Sequence, residues 1–244
     1  MSEELAHAVV VDFPLQGDWW VAVNSPADRI PSHGTDLLGQ RYAFDFIRTD
    51  PRPRLHYHPA SWLRTLIIGV PTSECYAWGR PVRSVFDATI VAAVDGVPER
   101  GRVHPVREAM LALRNGLTFT PDRLPAILGN HVVARHGDLV AVYAHLAPGS
   151  VTVASGQAVR AGDRIGSVGH TGNSTTPHLP FQLIKATDDL TTAIAVPCAF
   201  RTYEVLRDGG WETVHGGIPG KDERIRSLEG VVGGEGLEPP TSSV

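Results

Sequence analysis

Cysteine is scarce in this chain. Cys75 and Cys198 are the only two among 244 residues, too few for a disulfide framework and without the C-x-x-C spacing of a structural zinc site. They are read either as two free buried thiols or as one bridge. A surplus of positive charge is also missing: 22 Lys and Arg against 26 Asp and Glu leave a net charge of −4, which excludes a general basic footprint for nucleic acid. No apolar run approaches the ~20 residues of a membrane-spanning helix. The opening, MSEELAHAVVVDFPLQGDWW, is acidic and has one brief apolar run at Ala8 to Val11, unlike the basic and then apolar start of a secretory leader. As written, the chain is expected to be cytoplasmic; a misassigned start would make it extracytoplasmic. Internal repeats and heptads are absent as well.

What is present is a chain with 42% hydrophobic content, able to bury one sizeable core plus extensions. DWWVAVN at 18–24 and RYAFDFI at 41–47 read as strands, the second expected to show Arg41, Ala43 and Asp45 on one face. Two strands with a DG turn signal fall between 78 and 99. PVREAMLALRNG at 105–116 has helical composition, with Pro near its start and Asn-Gly at its end, and TFTPDRLPAILG after it reads as a loop. NHVVARHG and LVAVYAHL form a hairpin around Gly137-Asp138, and Gly156, Gly162, Gly166 and Gly169 then punctuate short strands. Residues 186–228 add two or three strands, with Tyr203 and Trp211 as packing residues and His215 in a turn. The tail GGEGLEPPTSSV is expected to be disordered.

The fold class is therefore mainly β: a compact antiparallel β-sandwich or barrel-like domain with one short helix and a C-terminal β extension. Residues 1–17 are an N-terminal arm, 18–185 the principal domain with an insertion at 50–75, 186–228 the extension and 229–244 the tail. The insertion, rich in Pro and Arg, carries His56 and His58 at H-x-H spacing and is read as a loop over a groove.

Chemistry concentrates in GSVGHTGNSTTPHLPFQL, 166–183. There His178 is delivered where a glycine-punctuated loop meets a strand, a place where a rigid element fixes the side chain and the loop leaves room for a ligand. Alternation puts His178 and Pro180 on one face and Leu179 and Phe181 on the other. A proline at 180 offers no lone pair and no N–H.

The run GNSTTPHLPFQ resembles the GNSTxPHxHFQ signature of the lysostaphin/LytM-type zinc endopeptidases, which cleave peptide cross-bridges of bacterial cell walls. The resemblance extends over roughly 18–185 and is strongest in 130–183. It identifies YAFDF as the aspartate-bearing half of the family's H-x-x-x-D, making Asp45 a metal ligand, and YAHL as the family's Y-x-H-L. Carried over, His145 and His178 become the catalytic pair that handles the zinc-bound water, a role for a neutral or switchable imidazole. Two ligand positions depart from the pattern, since Arg41 and Pro180 stand where the family has histidines. A guanidinium stays protonated and cannot ligate; His33, from the preceding loop, is the candidate substitute beside Asp45.

Hydrolytic zinc takes three protein ligands and an open position. The resemblance thus implies a LytM-type domain with an impaired metal site, binding a peptide or peptidoglycan-like ligand or regulating a partner. The alternatives are a working zinc endopeptidase, its third ligand supplied by His170 or the His56/His58 pair, and a purely structural β module. Zinc is the cofactor if the protein is active; otherwise none is required.

Overall fold

A computed structural model of the chain describes residues 3–52, 54–118, 120, 123–187, 189–221 and 223–227. The tail at 229–244 lies outside the described residues. Sixteen strands are described: β1 (Val9–Val11), β2 (Gly17–Asn24), β3 (Phe44–Arg48), β4 (Val70–Pro71), β5 (Pro81–Arg83), β6 (Ala88–Val94), β7 (Arg102–Val103), β8 (Asn130–His136), β9 (Leu139–Leu146), β10 (Ala158–Val159), β11 (Arg164–Ser167), β12 (Leu179–Lys185), β13 (Ala195–Val196), β14 (Cys198–Arg207), β15 (Gly210–Gly217) and β16 (Ile225–Ser227). Three α-helices accompany them: α1 (Trp62–Ile67), α2 (Pro105–Leu117) and α3 (Leu124–Leu128).

The protein is mainly β. One large sheet runs β1-β14-β16-β2-β3-β12-β9-β8-β6-β10, with β13 added to β12 and β15 to β14, and two small two-stranded sheets pair β11 with β5 and β4 with β7. All the pairings are antiparallel except β1 with β14. The C-terminal strands continue the same sheet, because β16 lies between β14 and β2.

Side-chain alternation divides this sheet into two faces. Phe44 and Phe46 of β3, Phe181 of β12 and Tyr143 of β9 point inward with Phe13 and Phe200, each large buried ring contributing about 1.5–3 kcal/mol. The register carries that division across strands, with Phe44 opposite Phe181, Asp45 opposite Pro180 and Phe181 opposite Tyr143. Asp45 and Pro180 therefore belong to the other face, whose apolar part is the smaller cluster of Val133, Val140, Val142 and Ile184.

Several expectations need correction. Arg41 is not in β3: residues Leu37–Tyr42 form a 3-10 segment that crosses the second face, with Leu38 at φ +58° and Gly39 at φ +71°. A Cβ at Gly39 would lie 2.5 Å from Ile184 Cγ2, so only glycine permits this crossing. The Pro/Arg-rich insertion contains α1, capped by the Ser61 side chain, and the stretch read as a loop after α2 contains α3. Strand β15 includes His215, where a turn was expected, because β14 pairs with it from Phe200 to Arg207. Cys75 and Cys198 are both free and buried.

Candidate functional site

Each of the four residues singled out above reaches one place by a different local device. Asp45 comes from the middle of β3, on the face opposite Phe44 and Phe46. It is buried, and a register shift in the β2–β3 pairing sets Asn24 against it. Asn24 Nδ2 donates to Asp45 Oδ2 at 2.6 Å.

His33 reaches the same oxygen from the loop after β2. The Ser32 backbone N–H donates to the Arg41 carbonyl at 2.9 Å and the Ser32 hydroxyl to the Gln40 carbonyl at 3.0 Å, folding the loop back onto the 3-10 segment. His33 Nε2 then lies 2.9 Å from Asp45 Oδ2.

His178 directly precedes β12. Its Nδ1 donates to the Thr176 carbonyl at 2.7 Å, turning Nε2 toward Asp45 Oδ1 at 3.6 Å. His145, the penultimate residue of β9, has φ +56°, a left-handed conformation that costs a non-glycine residue of order 1 kcal/mol. The backbone bends there because the pairing with β8 shifts register between Asn130 and Val132. His145 Nδ1 donates to the Leu128 carbonyl at 3.2 Å, leaving Nε2 as the acceptor of the neutral ring. The rings of His145 and His178 are 5.1 Å apart at 63°. His33, Asp45, His178 and His145 thus form one contiguous group.

The electrostatics follow from burial and charge. Burial alone would raise Asp45, but the His178 ring beside it and the hydrogen bond from His33 override it and hold the carboxyl well below its usual range. Burial opposes the His178 cation, yet the Asp45 carboxylate beside it raises the imidazole above its ordinary value. For His145 the opposing pull of Asp45 is outweighed: burial, then the neighbouring His178 charge, bring it down to about 3. The group therefore sets a carboxylate held ionised beside an imidazole whose charged form it favours, next to an imidazole kept neutral by burial.

The remaining candidates lie elsewhere. Arg41 turns outward to Asp36 at 2.8 Å and Glu4 at 3.0 Å. Fully buried His170 sits behind the loop preceding His178, its Nδ1 3.0 Å from Ser174 Oγ. His56 bonds to the Arg54 carbonyl within its own loop. Three participants were not anticipated: Asn24, the Leu128 carbonyl from α3, and Ser174, whose hydroxyl lies 3.3 Å from His178 Nδ1. Ser174 stood within the quoted motif, but the other two depend on strand register and on α3.

A cleft of about 70 Å³ opens beside His145, with Val142, Ala144, Pro180 and Gln182 among its lining residues and walls from Leu38, Leu124, Ile127 and Leu128. A larger hollow of about 590 Å³ lies against residues 26–30 and Ile218. None of the four grouped residues lines it, so the smaller cleft is the one next to the chemistry.

The zinc that the resemblance implies does not fit the donor set. Arg41 and Pro180 offer no ligand atom. Asp45 Oδ2 already accepts from Asn24 and His33, and among the described residues no group of three or more His, Cys, Asp and Glu side chains is placed to hold a metal ion.

Residues 103–192 match the profile of Peptidase family M23. A 100-residue stretch is 46% identical to the peptidoglycan DD-endopeptidase ShyA of Vibrio cholerae, covering 34% of this chain and 23% of that protein. Among solved structures, the catalytic domain of lysostaphin from Staphylococcus simulans is 22% identical over 57% of this chain and 94% of its own, with a TM-score of 0.32. The catalytic domain of the prophage-encoded M23 protein EnpA from Enterococcus faecalis is 16% identical over 64% and 73% of the two chains, with a TM-score of 0.35. The family profile and the ShyA stretch bear out the resemblance to lysostaphin/LytM-type endopeptidases read from the motifs, and the chain spans about a quarter of the length of its curated relative.

Proposed function

We propose that this M23-type chain is a peptide-binding or regulatory module whose zinc-ligand positions no longer support metal-assisted hydrolysis, and that its ligand is a peptidoglycan-like peptide held in the cleft beside His145. The observation that carries this reading is the closed hydrogen bonding of Asp45. Asn24 and His33 donate to Oδ2, the His178 ring stands against Oδ1 at 3.6 Å, and position 180 contributes a proline ring to the cleft. Without a metal, water keeps a pKa far above neutrality and the carbonyl lacks a polarising charge.

The same geometry suits binding. Neutral His145 keeps Nε2 free to accept an N–H from an extended peptide, while both ring nitrogens of His178 are turned within the protein, to Thr176 and Asp45. The cleft, about 70 Å³ between apolar walls, has room for a small side chain.

One observation favours a second reading, a working endopeptidase. His33 lies directly against Asp45, where a rearranged ligand would be needed. The two separate by titrating a soluble cross-linked muropeptide into purified protein, with elemental analysis and a cleavage assay in parallel. The binding reading expects saturable heat, no cleavage, and at least about tenfold weaker binding for His145→Ala, the loss of one hydrogen bond plus packing. Near-stoichiometric zinc, removed by Asp45→Ala together with cleavage activity, would overturn it.

A further inference from the structure

Residues 50–75 and 100–117 build a unit with its own small core. β4 and β7 pair Val70 with Val103 and Pro71 with Arg102, over a cluster of Val70, Cys75 and Val103. α1 precedes β4, α2 follows β7, and the two helices touch. Nine of the thirteen exposed large hydrophobic side chains among the described residues lie on this unit. The exposure is therefore concentrated in one place.

Neither helix buries its apolar side. α1 has no buried residue, and Trp62 and Ile67 are each 71% exposed. α2 is inverted relative to an ordinary amphipathic helix. Its protein-facing stripe carries Glu108, 2% exposed, and Asn115, which donates to Asn173. The opposite stripe, Val106, Met110 and Leu113 at i, i+4 and i+7, faces outward, with Met110 61% and Leu113 64% exposed.

The charge around this face is also unlike the rest of the chain. Residues 50–75 contain three arginines against Asp50 and Glu74, and 100–118 four against Glu108, in a chain whose net charge is −4. Arg100 turns inward to Gly172 and Ser174, and Arg52, Arg64 and Arg107 pair with Asp50, Glu74 and Glu108, which leaves Arg54, Arg102 and Arg114 as the surplus charge around this face. Arg107 and Arg114, seven residues apart, flank the outward stripe of α2, where long guanidinium stems can lie along apolar surface while their heads reach outward.

We propose that this α1–α2 face docks the protein on an anionic lipid bilayer, with Trp62, Leu66, Ile67, Met110 and Leu113 entering the boundary between headgroups and acyl chains and the arginines on the lipid phosphates. No helix among the described residues is long and apolar enough to cross a membrane, so the contact is with its surface. A soluble polyanion would satisfy the arginines but leave Trp62 and Ile67 in water. A second copy of the same face would set arginine against arginine.

The test uses the full chain and two kinds of vesicle, phosphatidylcholine alone and phosphatidylcholine containing phosphatidylglycerol, read by co-sedimentation at low salt. Binding is expected to the anionic vesicles, about tenfold or more weaker to the neutral ones, and reduced about tenfold by Trp62→Ser with Ile67→Ser. These positions bury nothing, so the variants should retain the wild-type melting temperature, and Arg114→Glu offers an independent check by charge alone. No binding to either vesicle, equal binding to both, or a lipid-free dimer dissolved by the same substitutions would each overturn the proposal.

Discussion

Replacing Pro180 with histidine tests the geometry of the site most directly. Residue 180 lies opposite Asp45 in the β12–β3 ladder, and directly opposed residues have Cβ atoms about 4.5–5.5 Å apart on one face. His33 Nε2 already stands 2.9 Å from the carboxylate. Pro180→His would supply the missing donor, giving two imidazoles, one carboxylate and an open position, the ligand count of hydrolytic zinc. At free zinc one hundred times its Kd, binding to the folded state alone adds about 2.7 kcal/mol. In a chain of this size that is a rise of about 5–11 °C in Tm. Losing the proline frees the unfolded backbone and costs about 0.4–1 kcal/mol, so without zinc the variant should melt slightly lower. The assay is thermal melting with and without zinc, plus elemental analysis. Pro180→His with His33→Ala should lose the zinc shift, while adding Arg41→His should leave it unchanged, because residue 41 faces Glu4 and Asp36. A folded Pro180→His protein that shows no zinc-dependent shift and carries no zinc would refute the placement of both residue 180 and His33.

Three other outcomes follow from the same structure. Burial lowers the imidazoles of His131, His145 and His170, that of His145 to about 3; below about pH 6.5 the unfolded chain binds protons these groups refuse, so stability falls with acid by up to about 1.4 kcal/mol per pH unit per group. His178, raised by Asp45, works in the opposite direction, its stability being fully present below about pH 6.5 and lost as pH rises through its folded value; a urea midpoint that does not drop between pH 6.5 and 5 would contradict the net sign. Arg100→Ala should destabilise by about 3 kcal/mol, at the low end of the range for breaking a buried pair because Arg107 still bonds Glu108, and denaturant unfolding measures it. Gly129→Ala should cost at least about 1–3 kcal/mol by the same measurement, since Gly129 has φ +64° and its Cβ would lie 2.4 Å from Thr171 Oγ1.

Much of the sheet could be read from the chain because its strands alternate or run apolar between turn residues. The 130–146 hairpin and α2 are cases where local chemistry and tertiary role agree. The misses have a common physical origin. RYAFDFI alternates well enough to suggest a strand from Arg41, but Gly39 must pass within contact of Ile184, a constraint that appears only once β12 is beneath it. α1 and α3 were hidden because each is barely longer than one helical turn, and prolines at 59 and 125 read as breakers although Pro125 sits at the start of its helix. At the site, His145, His178 and Asp45 were legible from motif residues. His33 was named beside Asp45 as a substitute from the preceding loop, and it lies 2.9 Å from the carboxylate; the Ser32 bonds that fold that loop back were not legible. Asn24 enters only through the register shift between β2 and β3.

The motif substitutions and the observed hydrogen bonds are connected by charge balance. A buried carboxylate without a counter-charge is costly by several kcal/mol, so a scaffold whose ligand positions hold Arg41 and Pro180 must satisfy Asp45 by other means. Arg41 does not do it, because its guanidinium is spent on Asp36 and Glu4 at the surface. The balance comes from the neighbours that can reach: the His178 ring, whose charged form the carboxylate favours, against Oδ1, with His33 and the Asn24 amide on Oδ2. His178 is itself fixed from behind, through Thr176 and through Ser174, whose carbonyl accepts from Arg100 at 2.6 Å. Arg100 also bonds Glu108 on the inner stripe of α2. The helix whose outer stripe lies bare is thus, on its inner stripe, part of the support of the histidine that neutralises Asp45.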